Sequence, residues 1–342
     1  MPFRDEMLGI GDLARLTGVP VRTIRFYCDE GVITSVRSAG GHRRFDRAAV
    51  ERLALIRRLR GLGLGLSAIG AVLEGEATLA KAVADERAAL DARLRELAWR
   101  RARLRAVEEA ASAAEQAAGL APAEDAEAAR ERLVAARLEL LAAVEDAEAA
   151  HARLVAFWRL QMVLPVTDEL FGSFAAMAAP PPPADPAPAQ VVAYAELVAL
   201  AGDRSLARDL RARARENARA ITDENELMHG VGEAVALAQP LVAAGEPPGP
   251  GPELDRFVAA HAGVRRRADT PDFRRELLGV LAADHDPRMR RYWRLVGEVS
   301  GTSTTVGHTI TWLGDALAHS LAVPERGPGK KGPGKTGTGK TG

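Results

Sequence analysis

Between residues 8 and 75 the chain is cut by Gly, Pro and Asp into short segments, each with one apolar face, which fits a small domain of short helices and a hairpin. Ile10–Leu16 reads as a helix ending at Thr17-Gly18, where glycine supplies the positive φ of a sharp stop, and Pro20 sets the start of the next helix, Val21–Glu30. In that second helix Arg22, Thr23, Arg25 and Tyr27 are expected on the outward face, with Val21, Ile24 and Phe26 packed toward the first helix. Gly31 stops it. Ile33–Arg37 and Arg43–Phe45 flank Ser38-Ala39-Gly40-Gly41, which predicts a hairpin with Arg37, His42, Arg43 and Arg44 crowding its tip. Asp46 then caps an amphipathic helix with Val50, Leu53, Ile56 and Leu59 on one face and Arg52, Arg57, Arg58 and Arg60 on the other. Together these segments predict a winged helix-turn-helix with Val21–Glu30 as recognition helix.

The motifs in order are Ile10-Gly11-Asp12-Leu13-Ala14, Thr23-Ile24-Arg25-Phe26-Tyr27, Gly41-His42-Arg43 and Ile56-Arg57-Arg58-Leu59-Arg60-Gly61-Leu62-Gly63. This stretch closely resembles the DNA-binding domain of the MerR family of transcription regulators. The resemblance implies that Arg25 and Tyr27 on the recognition helix and Arg37 and Arg43 on the wing sit on double-stranded DNA, with Thr23 on a phosphate and Arg22 and His42 beside them. His42 departs from the Tyr often found at its position. Residues 1–75 hold twelve arginines against eight acids, a net charge of +4 that a dimer would double.

The 342 residues suffice for two or three domains, and their formal net charge is zero. No apolar run reaches the roughly 20 residues needed to span a bilayer, and the start lacks the apolar core of a signal peptide. A soluble, cytoplasmic protein is expected. The single cysteine, Cys28, excludes an internal disulfide and a Cys-x-x-Cys metal clamp, so this chain cannot be one of the family's thiolate metal sensors or its iron–sulfur sensor. It reads as a small neutral residue. No cofactor or metal is expected: the acids Asp223, Glu224 and Glu226 near His229 suit the first turn of a helix.

Beyond Gly75 the pattern is long-helical. From Thr78 to Gln116, Val83, Leu90, Leu94, Leu97 and Leu104 recur near a heptad repeat, interrupted by Glu86 and Arg101. The resemblance implies a homodimer through an antiparallel coiled coil here; an intramolecular helical hairpin is the other reading. Gly119-Leu120-Ala121-Pro122 breaks the stretch, and a second helix over Ala123–Leu160 is expected to align Leu133, Leu140, Val144, Ala147, His151, Leu154 and Trp158.

Pro180–Pro183, Pro186 and Pro188 predict a stiff interdomain linker, followed by helices over Arg204–Arg219, Glu224–Ala244, Asp272–Ala283 and Arg288–Val299, with Gly245–Pro252 as a loop. With 4% aromatic residues and no alternating segments, this half reads as all-helical. Candidate ligand-binding residues are Trp158, Tyr194, His229, Tyr292, Trp293 and Trp312, with Phe171, Phe174, Met228, Phe257 and His308 behind them; for each, core packing is the competing reading.

The expected architecture is mainly α: a head over 1–76, a dimerisation coiled-coil helix over 77–118, a second long helix over 119–179, a linker over 180–189, a helical effector domain over 190–323 and a disordered basic tail over 324–342. The tail twice satisfies the phosphate-loop pattern, ending at Lys335-Thr336 and Lys340-Thr341, but lacks the preceding strand and following helix that would aim backbone amides at a phosphate. No catalytic constellation is present, so a non-enzyme is expected. The resemblance further implies action at promoters beside RNA polymerase, by distorting an overlong spacer, with the helical half sensing a small molecule or partner. The alternatives are a constitutive or architectural DNA binder whose second half only assembles, and an interaction protein whose head docks a protein partner.

Overall fold

In the computed structural model, which describes residues 7–118, 123–282 and 286–322, the chain divides into two units, Met1–Leu97 and Ala98–Gly342. In the first, β1 (Leu8–Gly9) leads into α1 (Ile10–Thr17), which stops where Gly18, at φ 68°, donates its N–H to Ala14 O. After Pro20 comes α2 (Val21–Asp29). The strands β2 (Val36–Arg37) and β3 (Arg43–Phe45) pair antiparallel across a five-residue connection, 38–42, which adds His42 to the four turn residues expected from the sequence. Ser38 N–H donates to His42 O at 2.9 Å and Gly41, at φ 78°, turns the corner. β1 pairs with the other edge of β3, giving the order β1-β3-β2; two residues are too few for alternation to reveal it.

The wing is carried by α3 (Ala48–Gly61) and α4 (Leu66–Glu74), from which α5 (Leu79–Ala118) departs. The Asp46 carboxylate accepts the Ala49 N–H at 2.9 Å, the cap its position predicts. Leu13, Ile24, Ile33, Phe45, Leu53, Ile56 and Ile69 form one core. Each contributes about 1.5–3 kcal/mol of burial against the entropy of ordering so short a set of elements. One face was misread: Phe26 is 49% exposed, and Tyr27 is half-buried against the core. Helical geometry explains it, since residues 27 and 28 stand three and four after Ile24 and share its side, whereas residue 26 cannot.

Of the four α3 arginines expected opposite the apolar face, Arg57, Arg58 and Arg60 are exposed, and three of the four also bind backbone carbonyls. Arg57 donates to Thr17 O at 2.9 Å, Arg52 to Leu73 O at 3.4 Å and Arg60 to Leu64 O at 2.7 Å. The first two close the C-terminal ends of α1 and α4, where unsatisfied carbonyls and the helix dipole favour a cation.

The second unit takes the rest of α5 and continues with α6 (Ala123–Ala142), α7 (Ala147–Gln161), α8 (Asp168–Ala178), α9 (Pro188–Ala201), α10 (Arg204–Ala220), α11 (Glu224–Ala243), α12 (Pro252–Val264), α13 (Pro271–Ala282), α14 (Pro287–Ser300) and α15 (Val306–Ala322). Among the described residues it is wholly helical, as expected. Asp203, Asp223 and Asp286 cap α10, α11 and α14 by accepting N–H groups of the first turn. The single helix expected over 123–160 is two, because Asp146 turns extended and accepts Ala149 N–H at 2.9 Å to start α7.

Among the described residues, four apolar clusters fill this unit, the smallest around Ile221, Leu227 and Val264. One gathers Trp99, Ala102 and Ala106 of α5 with Leu154, Trp158, Tyr194, Tyr292 and Leu295. Another gathers Leu254, Val258, Phe273, Leu277 and Leu317, adjoining a group around Phe257 and Leu313. Trp293 borders the first cluster and the Phe257 group, and lies against Gly307 so closely that a Cβ there would fall inside the indole.

The proline segment differs from the linker the sequence predicted. Residues 180–189 lie inside the second unit, with Pro180 and Pro186 buried, and its carbonyls accept from the core: Trp99 Nε1 donates to Pro183 O at 2.8 Å and Tyr194 Oη to Pro180 O at 3.2 Å. A proline run has spare acceptors and few donors, so it can serve as a strap over aromatic side chains as well as a spacer. The chain divides between residues 97 and 98 instead. The break expected at 119–122 and the tail over 324–342 lie outside the described residues.

Candidate nucleic-acid interface

The exposed flank of α2 and the wing beside it form one basic surface. Arg22, Arg25, Arg37 and His42 are exposed and Thr23 is half-buried. Among the described residues, the side chains of Arg22, Arg25 and Arg37 have no hydrogen-bond or ion-pair partner, so each is free for a phosphate or a base edge. Tyr27, expected with them, has its ring partly committed to the core and lies 6.1 Å from the Phe26 ring.

Arg43 behaves differently. Its Nη2 donates to Asp29 Oδ1 at 2.6 Å and its Nη1 to Arg25 O at 3.3 Å, tying the wing to the recognition helix. The Asp29 hydrogen bond raises the Arg43 pKa further, so the guanidinium stays charged. Beneath it, burial pushes the Cys28 thiol up, partly countered by Arg43, so Cys28 is held as a neutral small side chain. Sequence reasoning missed Asp29 as the anchor, and its one-turn distance from Arg25 was the available signal.

Along α5, Val83, Leu90, Leu94, Leu97 and Leu104 are 40–63% exposed. Large apolar side chains repeated at near-heptad spacing and left uncovered by their own chain make a surface suited to a partner helix. A second face, unnoticed in the sequence, carries the buried Ala102, Ala106, Ala110 and Ala114. Their strict spacing of four could have shown it.

The candidate ligand residues do not converge. Trp158, Tyr292 and Trp293 meet: Trp158 Nε1 donates to Tyr292 Oη at 2.8 Å, Tyr292 Oη donates to Ala178 O at 2.7 Å, and the Trp158 and Trp293 rings stack at 5.5 Å. The polar atoms of Trp158 and Tyr292 thus satisfy each other and the backbone. Tyr194 pairs with Trp99 across the same cluster, His229 is exposed and paired with Glu233, and Trp312 donates to Glu246 O at 2.9 Å. Among the described residues no cluster of three or more His, Cys, Asp or Glu could hold a metal ion, and no helix is long and apolar enough to cross a membrane.

Residues 8–76 match the family described as MerR HTH family regulatory protein, and residues 50–112 match the one described as MerR, DNA binding. The head belongs to the MerR family. Relatives include the nodulation protein NolA of Bradyrhizobium elkanii, 46% identical over 71 residues, which are 20% of this chain and 32% of NolA. The HTH-type transcriptional activator SoxR homolog of Chromobacterium violaceum is 41% identical over 71 residues, 21% of this chain and 48% of the relative. The HTH-type transcriptional activator TipA of Streptomyces coelicolor is 41% identical over 69 residues, 20% and 27% of the two chains. The match therefore spans about a third of NolA, about half of the SoxR homolog and about a fifth of this chain. No solved structure matches the chain.

Proposed function

We propose that this protein is a dimeric transcription regulator that binds double-stranded promoter DNA through α2 and the wing. The observation that carries the reading is the pairing of two free surfaces: unpartnered Arg22, Arg25 and Arg37 on the head, and an uncovered leucine stripe on the helix that follows it. One head offers few phosphate contacts; two heads held by α5 double them and suit a pseudo-palindromic site. Replacing Leu94 and Leu97 with Asp gives monomers in light scattering and abolishes operator binding. Persistent dimers would move the interface elsewhere.

At the promoter the dimer acts beside RNA polymerase by bending and untwisting an overlong spacer. Bending a 20–30 base-pair site costs about 1–6 kcal/mol, which protein–DNA contacts must offset. A small molecule or partner that prefers one arrangement of the second unit shifts that balance by its differential affinity. Shortening the spacer by two base pairs makes transcription independent of the protein; activation that persists unchanged replaces distortion with recruitment or repression. The mutual hydrogen bonding of Trp158, Tyr292 and Ala178 favours a second reading of the C-terminal unit, as a filled assembly module behind a constitutive DNA binder. Footprints indifferent to every tested metabolite would support that alternative.

A further inference from the structure

The helix α10 carries an arginine stripe that the head's function does not use. Arg204, Arg208, Arg211, Arg215 and Arg219 follow one another at steps of three or four residues, all are exposed, and they fall on one side of the helix. The opposite side holds Leu206, Ala207 and Leu210 against the apolar cluster of the second unit, so the stripe faces solvent because the helix is anchored. Fifteen residue steps at about 1.5 Å make it about 22 Å long.

Some helical charges of this protein pair within one turn, while others, such as Arg87, Arg95, Arg100 and Arg105 of α5, have no ion-pair partner among the described residues. Lys81–Asp85, Arg93–Glu96, Arg130–Glu127, Arg275–Asp272 and Arg294–Glu298 are all neighbours one turn apart. Among the described residues none of the five arginines of α10 has an ion-pair or hydrogen-bond partner, and Asp209, one of two acids on the helix, is taken by Arg288 at 2.9 Å. Like charges at these spacings oppose the helix they sit on, so the row disfavours folding unless something anionic lies along it. Planar guanidinium forks in a row suit a chain of phosphates better than a single small anion.

We propose that the α10 stripe is a second DNA-binding surface, contacting the phosphate backbone of duplex DNA without reading its sequence. At 3.4 Å of duplex axis per nucleotide step of one strand, 22 Å of helix laid along the duplex spans about six steps, enough for several simultaneous contacts. The proposal rests on DNA as the head's ligand only in taking DNA as the polyanion at hand.

The test uses the full chain and a random-sequence 40-base-pair duplex, with binding followed by fluorescence anisotropy from low to moderate salt. Replacing Arg208, Arg211 and Arg215 with Gln lowers the slope of log affinity against log salt by about 2.7, at about 0.9 per lost phosphate contact. The same three positions changed to Lys keep the slope, which separates charge from folding. A separate variant, Arg25→Ala with Arg37→Ala, tests the head: if it leaves all DNA binding unchanged, the head reading fails and the α10 result still stands. An unchanged slope in the Gln variant overturns the α10 proposal, as does loss of binding to polyglutamate with none to duplex, which would assign the stripe to an acidic protein.

Discussion

The two units of this protein are held together by different means. In the head, several deciding contacts are local and displayed by the sequence: Gly18 ends α1, Asp46 starts α3 and Gly41 turns the wing, although Arg57 reaches Thr17 O across 40 positions. In the second unit the deciding contacts join distant segments. Trp158 Nε1 reaches Tyr292 Oη across 134 positions, and Trp99 reaches Pro183 O across 84. Local signals therefore specify the first unit well, while the second depends on complementarity that only the folded chain assembles.

The comparison breaks most sharply if damage in one unit spreads to the other. Trp158→Ala should destabilise the second unit by about 3–5 kcal/mol while leaving hydrogen-exchange protection at Leu13 and Ile56 unchanged. Parallel loss of protection in the head would mean the units unfold together. A smaller lesion sharpens the point. Tyr292→Phe keeps the ring but leaves Trp158 Nε1 without its acceptor and Ala178 O without its donor, and should cost about 1–3 kcal/mol in urea melts.

The second unit should also respond to pH. His261 is buried beside Phe257, and its Nδ1 lies 3.1 Å from Arg265 Nη1, which donates to the neutral ring. Burial, reinforced by the Arg265 charge, holds its pKa down to about 3 against an ordinary 6.5. A depressed histidine contributes stability that is complete above pH 6.5 and lost as pH falls toward 3, by up to about 1.4 kcal/mol per pH unit. His261→Gln, which keeps an acceptor but cannot titrate, should flatten the urea-midpoint profile between pH 6.5 and 5. The least effect is expected in the head, where Arg57→Ala removes one exposed bond to Thr17 O and should lower head stability by about 1 kcal/mol, read by exchange at α1.

The limits of legibility follow the same division. The turn at Ser38–Gly41, the caps at Asp203, Asp223 and Asp286 and the free Arg22, Arg25 and Arg37 were readable because each depends on residues within one turn of itself. Tyr27 and Phe26 were exchanged because both are aromatic, and only the register relative to Ile24 separates them. The proline strap was unreadable: nothing local shows that Trp99 and Tyr194 will supply donors to its carbonyls. The arginines of α3 and α10 look alike in sequence, yet most of the former end on carbonyls and the stripe of the latter on nothing.

The tie between Arg43, Asp29 and the Arg25 carbonyl changes the kinetics expected at DNA. Paired with β1 along one edge only, the wing would still flex at its tip, and the ordering of that tip would fall on the encounter with the duplex. Anchored to the recognition helix beforehand, the wing meets DNA as part of one rigid surface, so its entropy is lost during folding and fewer encounters are unproductive. Asp29→Ala should leave the contact surface intact and slow association, with the dissociation rate much less affected.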